Sequence, residues 1–131
     1  MKKFFSKYKI IFYFLNFFLI FLYLFPGSLL GFIIYDNINK QPQITSDFIV
    51  SSNHFYIFFI ISFLGLLSFE KERQIKALLI YLISLSVIIE FFHLFIPERS
   101  FQWSDLFGNL FGVIVVIVIN NLINKYGLFK K

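Results

Sequence analysis

ALLIYLISLSVIIEFFHLFI (Ala77–Ile96), PERSFQWSD (Pro97–Asp105) and LFGNLFGVIVVIVINNLI (Leu106–Ile123) follow one another without a gap, and they decide the fold. A helix crossing a bilayer core of ~30 Å needs about 20 residues at ~1.5 Å each. Both apolar runs are near that length, and Pro97 closes the first because proline cannot continue a helix. The link between them is short and polar, so it predicts two antiparallel helices joined at one face of a membrane. No period-two alternation runs through either segment, which argues against transmembrane strands.

Two more runs of this kind lie upstream. IIFYFLNFFLIFLYLF (Ile10–Phe25) ends at Pro26-Gly27, and Tyr8 and Lys9 extend it, the lysine stem lying along apolar surface. Phe48–Phe69 is the second, interrupted early by Asn53-His54. The expectation is a single all-α membrane domain over residues 1–131 with four transmembrane helices, at about 8–25, 48–69, 77–96 and 106–123. The link EKERQIK forces a hairpin of the second and third spans. The stretch Pro26–Asp47 is longer, and its SLLGFIIY segment is apolar enough to lie in or dip into the interface. A cleaved signal peptide is not expected. Pro26-Gly27-Ser28 is no small-x-small cleavage site, and the first run exceeds the usual h-region of about 7–15 residues.

Composition agrees with lipid as the solvent. The chain of 131 residues is 59% hydrophobic and only 15% charged, against about 25% charged in a soluble domain. So small a soluble fold cannot hide that much apolar surface. Cysteine is absent, which excludes thiol catalysis, disulfides and cysteine metal sites. Phe accounts for 22 residues, most of them read as lipid-facing filler with no functional role.

Charge sets the orientation. Lys2, Lys3, Lys7 and Lys9 precede the first span, Lys71, Arg73 and Lys76 separate the second from the third, and Lys125, Lys130 and Lys131 follow the fourth. Only Lys40 and Arg99 fall on the other side. The positive-inside rule then places both termini of a multi-pass membrane protein in the cytoplasm. The net charge of +5 is a topology signal and a contact for membrane lipids, not a nucleic-acid footprint.

Ionisable groups inside a membrane are costly and mark candidate sites. Counting from the outer edge, helical rise puts His54 roughly 9 Å, Glu90 roughly 10 Å, His93 roughly 6 Å and Asn109 roughly 5 Å deep. Arg99 and Asp105 sit at the outer rim. Three spans thus deliver polar residues to one slice. Glu90 and His93 are i,i+3 on one helix face. Asp105 could be a simple N-cap after Ser104, since helix starts prefer it. Asn53 and Asn109 could cap or meet headgroups. Gly108 and Gly112 form a small-xxx-small pair that permits close helix approach, bringing Asn109 against a neighbour, with the third span as the expected partner.

Glu90, Pro97, Arg99, Asp105, Asn109 and Gly112 resemble the pattern E-x-x-Q-x-x-x-P-x-R, short gap, D-x-x-x-N-x-x-G of the VanZ-like family of small bacterial membrane proteins. His54-Phe55 resembles the family's H-F pair at the start of its second helix, with Ser51 at the usual lysine place. Pro26-Gly27-Ser28 resembles the turn after its first helix. The likeness runs from about Pro26 to Ile119. His93 stands where the family usually has Gln, which argues against an essential metal at Glu90-x-x-His93, and neither metal nor cofactor is expected. The resemblance implies a four-helix membrane protein. Some members are associated with low-level resistance to the glycopeptide teicoplanin, which acts outside the cell membrane, and no established reaction comes with the family.

The leading expectation is a cell-envelope protein whose outer-leaflet pocket, lined by His54, Glu90, His93, Arg99, Asp105 and Asn109, binds or modulates a lipid-linked, cell-wall-related or glycopeptide ligand. Arg99 would pair with a phosphate or carboxylate, held in position by Glu90 and Asp105. An alternative is an intramembrane hydrolase or transferase with Glu90, His54 and Asp105 as candidate catalytic groups. A third is a structural subunit whose function lies in a partner.

Overall fold

The computed structural model describes the backbone of residues 2–127 and the side chains of residues 8–127, and the chain is all-α there. Lys130 and Lys131, and the side chains of Lys2, Lys3 and Lys7, which the charge argument uses, lie outside the described residues. Five helices follow in order: α1 (Lys2–Leu24), α2 (Leu29–Tyr35), α3 (Ser52–Ser68), α4 (Glu72–Phe92) and α5 (Trp103–Tyr126). By length and composition α4 and α5 can each cross a membrane. Tyr8–Leu24 of α1 passes the same test together with α2, from which it is bent by 82°. The apolar helix α3 has 17 residues, or ~26 Å at ~1.5 Å per residue, short of a full ~30 Å core.

Each boundary has a local cause. α1 stops at Leu24 because Pro26 supplies no backbone N–H, and Gly27 then turns the chain at φ +75, a conformation that L side chains rarely adopt. Ser28 caps α2, its Oγ accepting from the Gly31 N–H at 2.9 Å. The chain after α2 closes back on it so tightly that a Cβ on Gly31 would sit 1.6 Å from the Lys40 carbonyl oxygen.

Three expected boundaries are corrected. The second apolar run does not begin its helix at Phe48, because Asp47 Oδ1 accepts from the Ser52 N–H at 3.0 Å and starts the helix there. The third run is helical from Glu72, not Ala77, with Glu72 and Lys76 paired at 2.7 Å, so the link to α3 shrinks to Phe69–Lys71. Its other end falls at Phe92 rather than Ile96. There the N–H groups of His93, Leu94 and Phe95 bond carbonyls three residues back, tightening the chain ahead of Pro97.

α3 is the centre of the bundle. It packs most extensively on α5 and next on α1, while α4 lies against α5. Gly108 and Gly112 make the α3–α5 contact possible: a Cβ there would meet the Ser51 and Phe55 carbonyl oxygens at 2.8 and 2.6 Å. The glycine face of the fourth run therefore meets the second run, not the third as expected. Small residues let backbones approach this closely where lipid removes the hydrophobic drive between helices. The outward faces stay apolar, with Phe14, Phe17, Ile33, Ile80 and Leu122 exposed.

Candidate functional site

At one end of the bundle α1 and α4 stop and α3 and α5 begin, and the polar side chains converge there. Asn109 of α5 is the hub and is 0% exposed. Its Nδ2 donates to the Ser86 carbonyl of α4 at 3.2 Å. That bond orients the amide, so Oδ1 is the acceptor for His54 Nδ1–H of α3 at 2.9 Å and for the Tyr23 hydroxyl of α1 at 3.3 Å. One side chain thus ties four helices together. The His54 tautomer follows: Nδ1 carries the hydrogen, and Nε2 turns toward Asp105 Oδ2, 3.5 Å away.

Glu90, also 0% exposed, is the second centre. One carboxylate oxygen accepts the Gln102 N–H at 3.0 Å, satisfying a backbone donor just ahead of α5. The other lies 3.1 Å from His93 Nδ1. His93 Nε2–H in turn donates to the Tyr23 carbonyl at 3.0 Å. The Tyr23 ring meets the His54 ring edge-on and stacks on the His93 ring. Asp105 is neither N-cap nor surface residue: Gln102 is the N-cap of α5, and Asp105 lies in the first turn facing His54.

Arg99 behaves differently from the expectation. Among the described residues its hydrogen bonds go to α1 rather than to Glu90 or Asp105: Nη2 donates to the Leu22 carbonyl at 2.9 Å and Nε to the Phe25 carbonyl at 3.1 Å. The reason is proline. The Leu22 oxygen would normally accept from residue 26, and Pro26 has no N–H. A cation at a helix C-terminus also opposes the helix dipole. Burial pulls the guanidinium's pKa down, and Tyr23, Glu90 and Asp105 act against that shift. Two of its five N–H donors are used by partners among the described residues.

Asn53 belongs to a separate task. Its Nδ2 donates to the Pro42 carbonyl at 2.6 Å and its Oδ1 accepts from Ile44 N–H at 3.1 Å, fastening the α2–α3 connection onto α3. Beside His54 and Arg99 lies a cavity of ≈ 50 Å³, also lined by Tyr23, Ser28 and Gln41. A water needs roughly 10–15 Å³ of such space, so the cavity admits a few waters or one small polar group, not a whole headgroup.

Sequence reasoning missed Tyr23, Ser86 and Gln102. The last two act through backbone atoms, which leave no trace in residue type. Tyr23 had a signal: it is the last polar side chain of the first run before Pro26, at the depth of the others. No family model, curated protein or solved structure matches this chain. What the fold and site define is a class alone: an all-α protein with two to three helices long and apolar enough to span a membrane, enclosing a hydrogen-bonded polar cluster at one end.

Proposed function

We propose that the chain crosses a bacterial cytoplasmic membrane four times, through α1, α3, α4 and α5, with both termini in the cytoplasm. Its polar cluster then faces the outer leaflet and takes the terminal polar group of a lipid-linked or cell-wall-related ligand. The carrying observation is the cluster itself. Glu90, His93 and Asn109 are enclosed in an otherwise apolar bundle beside a small cavity that Arg99 and His54 line. Intramembrane polar groups of this kind mark sites of function. The distribution of lysine and arginine supports the orientation. The 82° bend after α1 supports an interfacial position for α2, whose Phe32, Ile33 and Ile34 are exposed. The likeness to VanZ-like proteins at Glu90, Arg99, Asp105 and Asn109 points the same way, and with it a role related to glycopeptide response.

The cavity size supports recognition of one phosphate or carboxylate by the spare Arg99 donors, with the remainder of the ligand left in lipid. The test is native mass spectrometry of the full chain in nanodiscs made from bacterial lipid. Wild type should retain a lipid-linked species that Arg99→Lys, folded by circular dichroism, loses. A wild type carrying only bulk lipid overturns the reading. Reporter fusions at Gly127 should read cytoplasmic, and an external signal there overturns the orientation.

A second reading, an intramembrane hydrolase or transferase, is favoured by one observation. Asn109 fixes the His54 ring with Nε2 toward Asp105, the arrangement of a base and its orienter, at the wall of the cavity. Turnover of a lipid-linked substrate, lost in His54→Gln, would single it out.

A further inference from the structure

We propose that His54 Nε2, one carboxylate oxygen of Glu90 and one of Asp105 bind a single divalent transition-metal ion, with zinc best suited. The inference concerns the same cluster but does not need the ligand reading: the ion is held whether or not a lipid-linked molecule binds.

Geometry is the first support. Each of the three residues offers a ligand atom, and the three atoms lie within 4.8 Å of one another. They come from α3, α4 and α5, so the fold gathers them from three separate helices. Two ligands ~2.1 Å from a tetrahedral centre lie ~3.4 Å apart. The His54 Nε2 to Asp105 Oδ2 separation is 3.5 Å. A charge-assisted hydrogen bond between those atoms would instead draw them to about 2.7–2.9 Å.

Proton bookkeeping is the second. Asn109 Oδ1 can only accept, because its amide nitrogen donates to Ser86. His54 therefore spends its hydrogen on Asn109 and turns a lone pair toward a carboxylate. The same holds for His93, which spends its Nε2 hydrogen on the Tyr23 carbonyl and faces Glu90 Oε2 with Nδ1. That Glu90 oxygen is fully buried, and its partner is His93 Nδ1. The 3.1 Å contact of His93 with Glu90 suits one shared proton. The His54, Asp105 and Glu90 acceptors are better suited by a cation at their centre. A neutral imidazole and two carboxylates offset the doubly charged ion, and the proton that Glu90 shares with His93 leaves one positive charge on the cluster.

The surroundings are the third. A metal-bound histidine usually gives its other N–H to an oxygen that fixes the ring. Asn109 does this for His54, and Gln102 N–H and His93 hold Glu90. Three nitrogen and oxygen ligands with an open fourth position suit zinc. His93 is outside the set, so the site differs from the Glu90-x-x-His93 pair against which the sequence argues, and it departs from the expectation of no metal.

The test uses the full chain, purified in detergent with a tag that contains no histidine, stripped with chelator and equilibrated with zinc alone. The background is low, since the chain has two histidines and no cysteine. After removal of free ion, mass spectrometry of the metal should find about one equivalent per chain. Retention should fall roughly tenfold or more in Asp105→Asn and His54→Gln and stay within about twofold in Tyr81→Phe, whose hydroxyl bonds Asn16 away from the cluster. Cobalt replacing zinc should give the intense visible bands of a tetrahedral site. Wild type retaining under about a tenth of an equivalent overturns the proposal, as does a cobalt spectrum like that of the hydrated ion. Should a variant fail to fold, the wild-type measurements decide alone. Zinc retention without a lipid-linked ligand overturns the ligand reading and keeps the metal, and the reverse result does the opposite.

Discussion

At the end where Asn109, Glu90 and His93 are enclosed, neighbouring helices are joined by directed bonds: His54 to Asn109, Asn109 to Ser86, His93 to Tyr23, Arg99 to Leu22. At the opposite end the interior is filled by shape. Phe12 meets the Phe69 ring edge-on with centroids 5.7 Å apart, Gly65 leaves room for Leu78, and Lys9 lies over the Phe69 ring. Between the two ends Tyr81 bonds Asn16 at 2.8 Å and joins α4 to α1. Hydrogen bonds specify partner and angle, whereas apolar contacts specify only volume. The first end therefore tolerates few substitutions, and the second tolerates many of similar size.

Asn109→Leu should show the contrast at its largest. It leaves the His54 N–H and the Tyr23 hydroxyl unpaired in an enclosed site and removes the second bond to the Ser86 carbonyl, at a cost on the order of 3 kcal/mol. Reversible unfolding in mixed micelles would measure it, and a loss below that of an apolar truncation elsewhere would break the comparison. Gly112→Leu should come next, at about 1–3 kcal/mol, because its side chain must displace the Phe55 carbonyl. It also separates α3 from α5, so crosslinking between cysteines introduced at positions 55 and 111 of the parent sequence, where the Phe55 and Phe111 ring centroids lie 5.3 Å apart, should weaken with it. Ile61→Val, in the apolar core, should cost the least, about 0.5–1.5 kcal/mol. A cost equal to that of Asn109→Leu would mean that shape, not directed bonding, governs both regions.

Much of the site was legible because helical rise is a fixed length. Glu90, His93, His54 and Asn109 could be set near one level by counting residues from Pro97, Phe48 and Leu106, although α3 starts at Ser52 and α5 at Trp103. Rotation about each helix axis was not available in the same way. The glycine pair at 108 and 112 announced a close contact but not its partner, which turned out to be α3. Arg99 announced an anion, yet its donors cap α1, because the carbonyl left open by Pro26 lies within its reach. That bond depends on where the α4–α5 link crosses the end of α1, a relation no sequence spacing carries.

An all-α chain with helices apolar enough to span a membrane could be read directly from the residues. Backbone groups in lipid must be satisfied within their own segment, so the forces that form such helices are local and leave a local record in hydropathy and in the prolines that end them. The tertiary structure alone decided that Asn109 orients His54, that His93 rather than Arg99 meets Glu90, and that His54, Glu90 and Asp105 share one centre. These relations join residues distant in the chain, and they depend on the crossing and rotation of whole helices, which only the packed bundle sets.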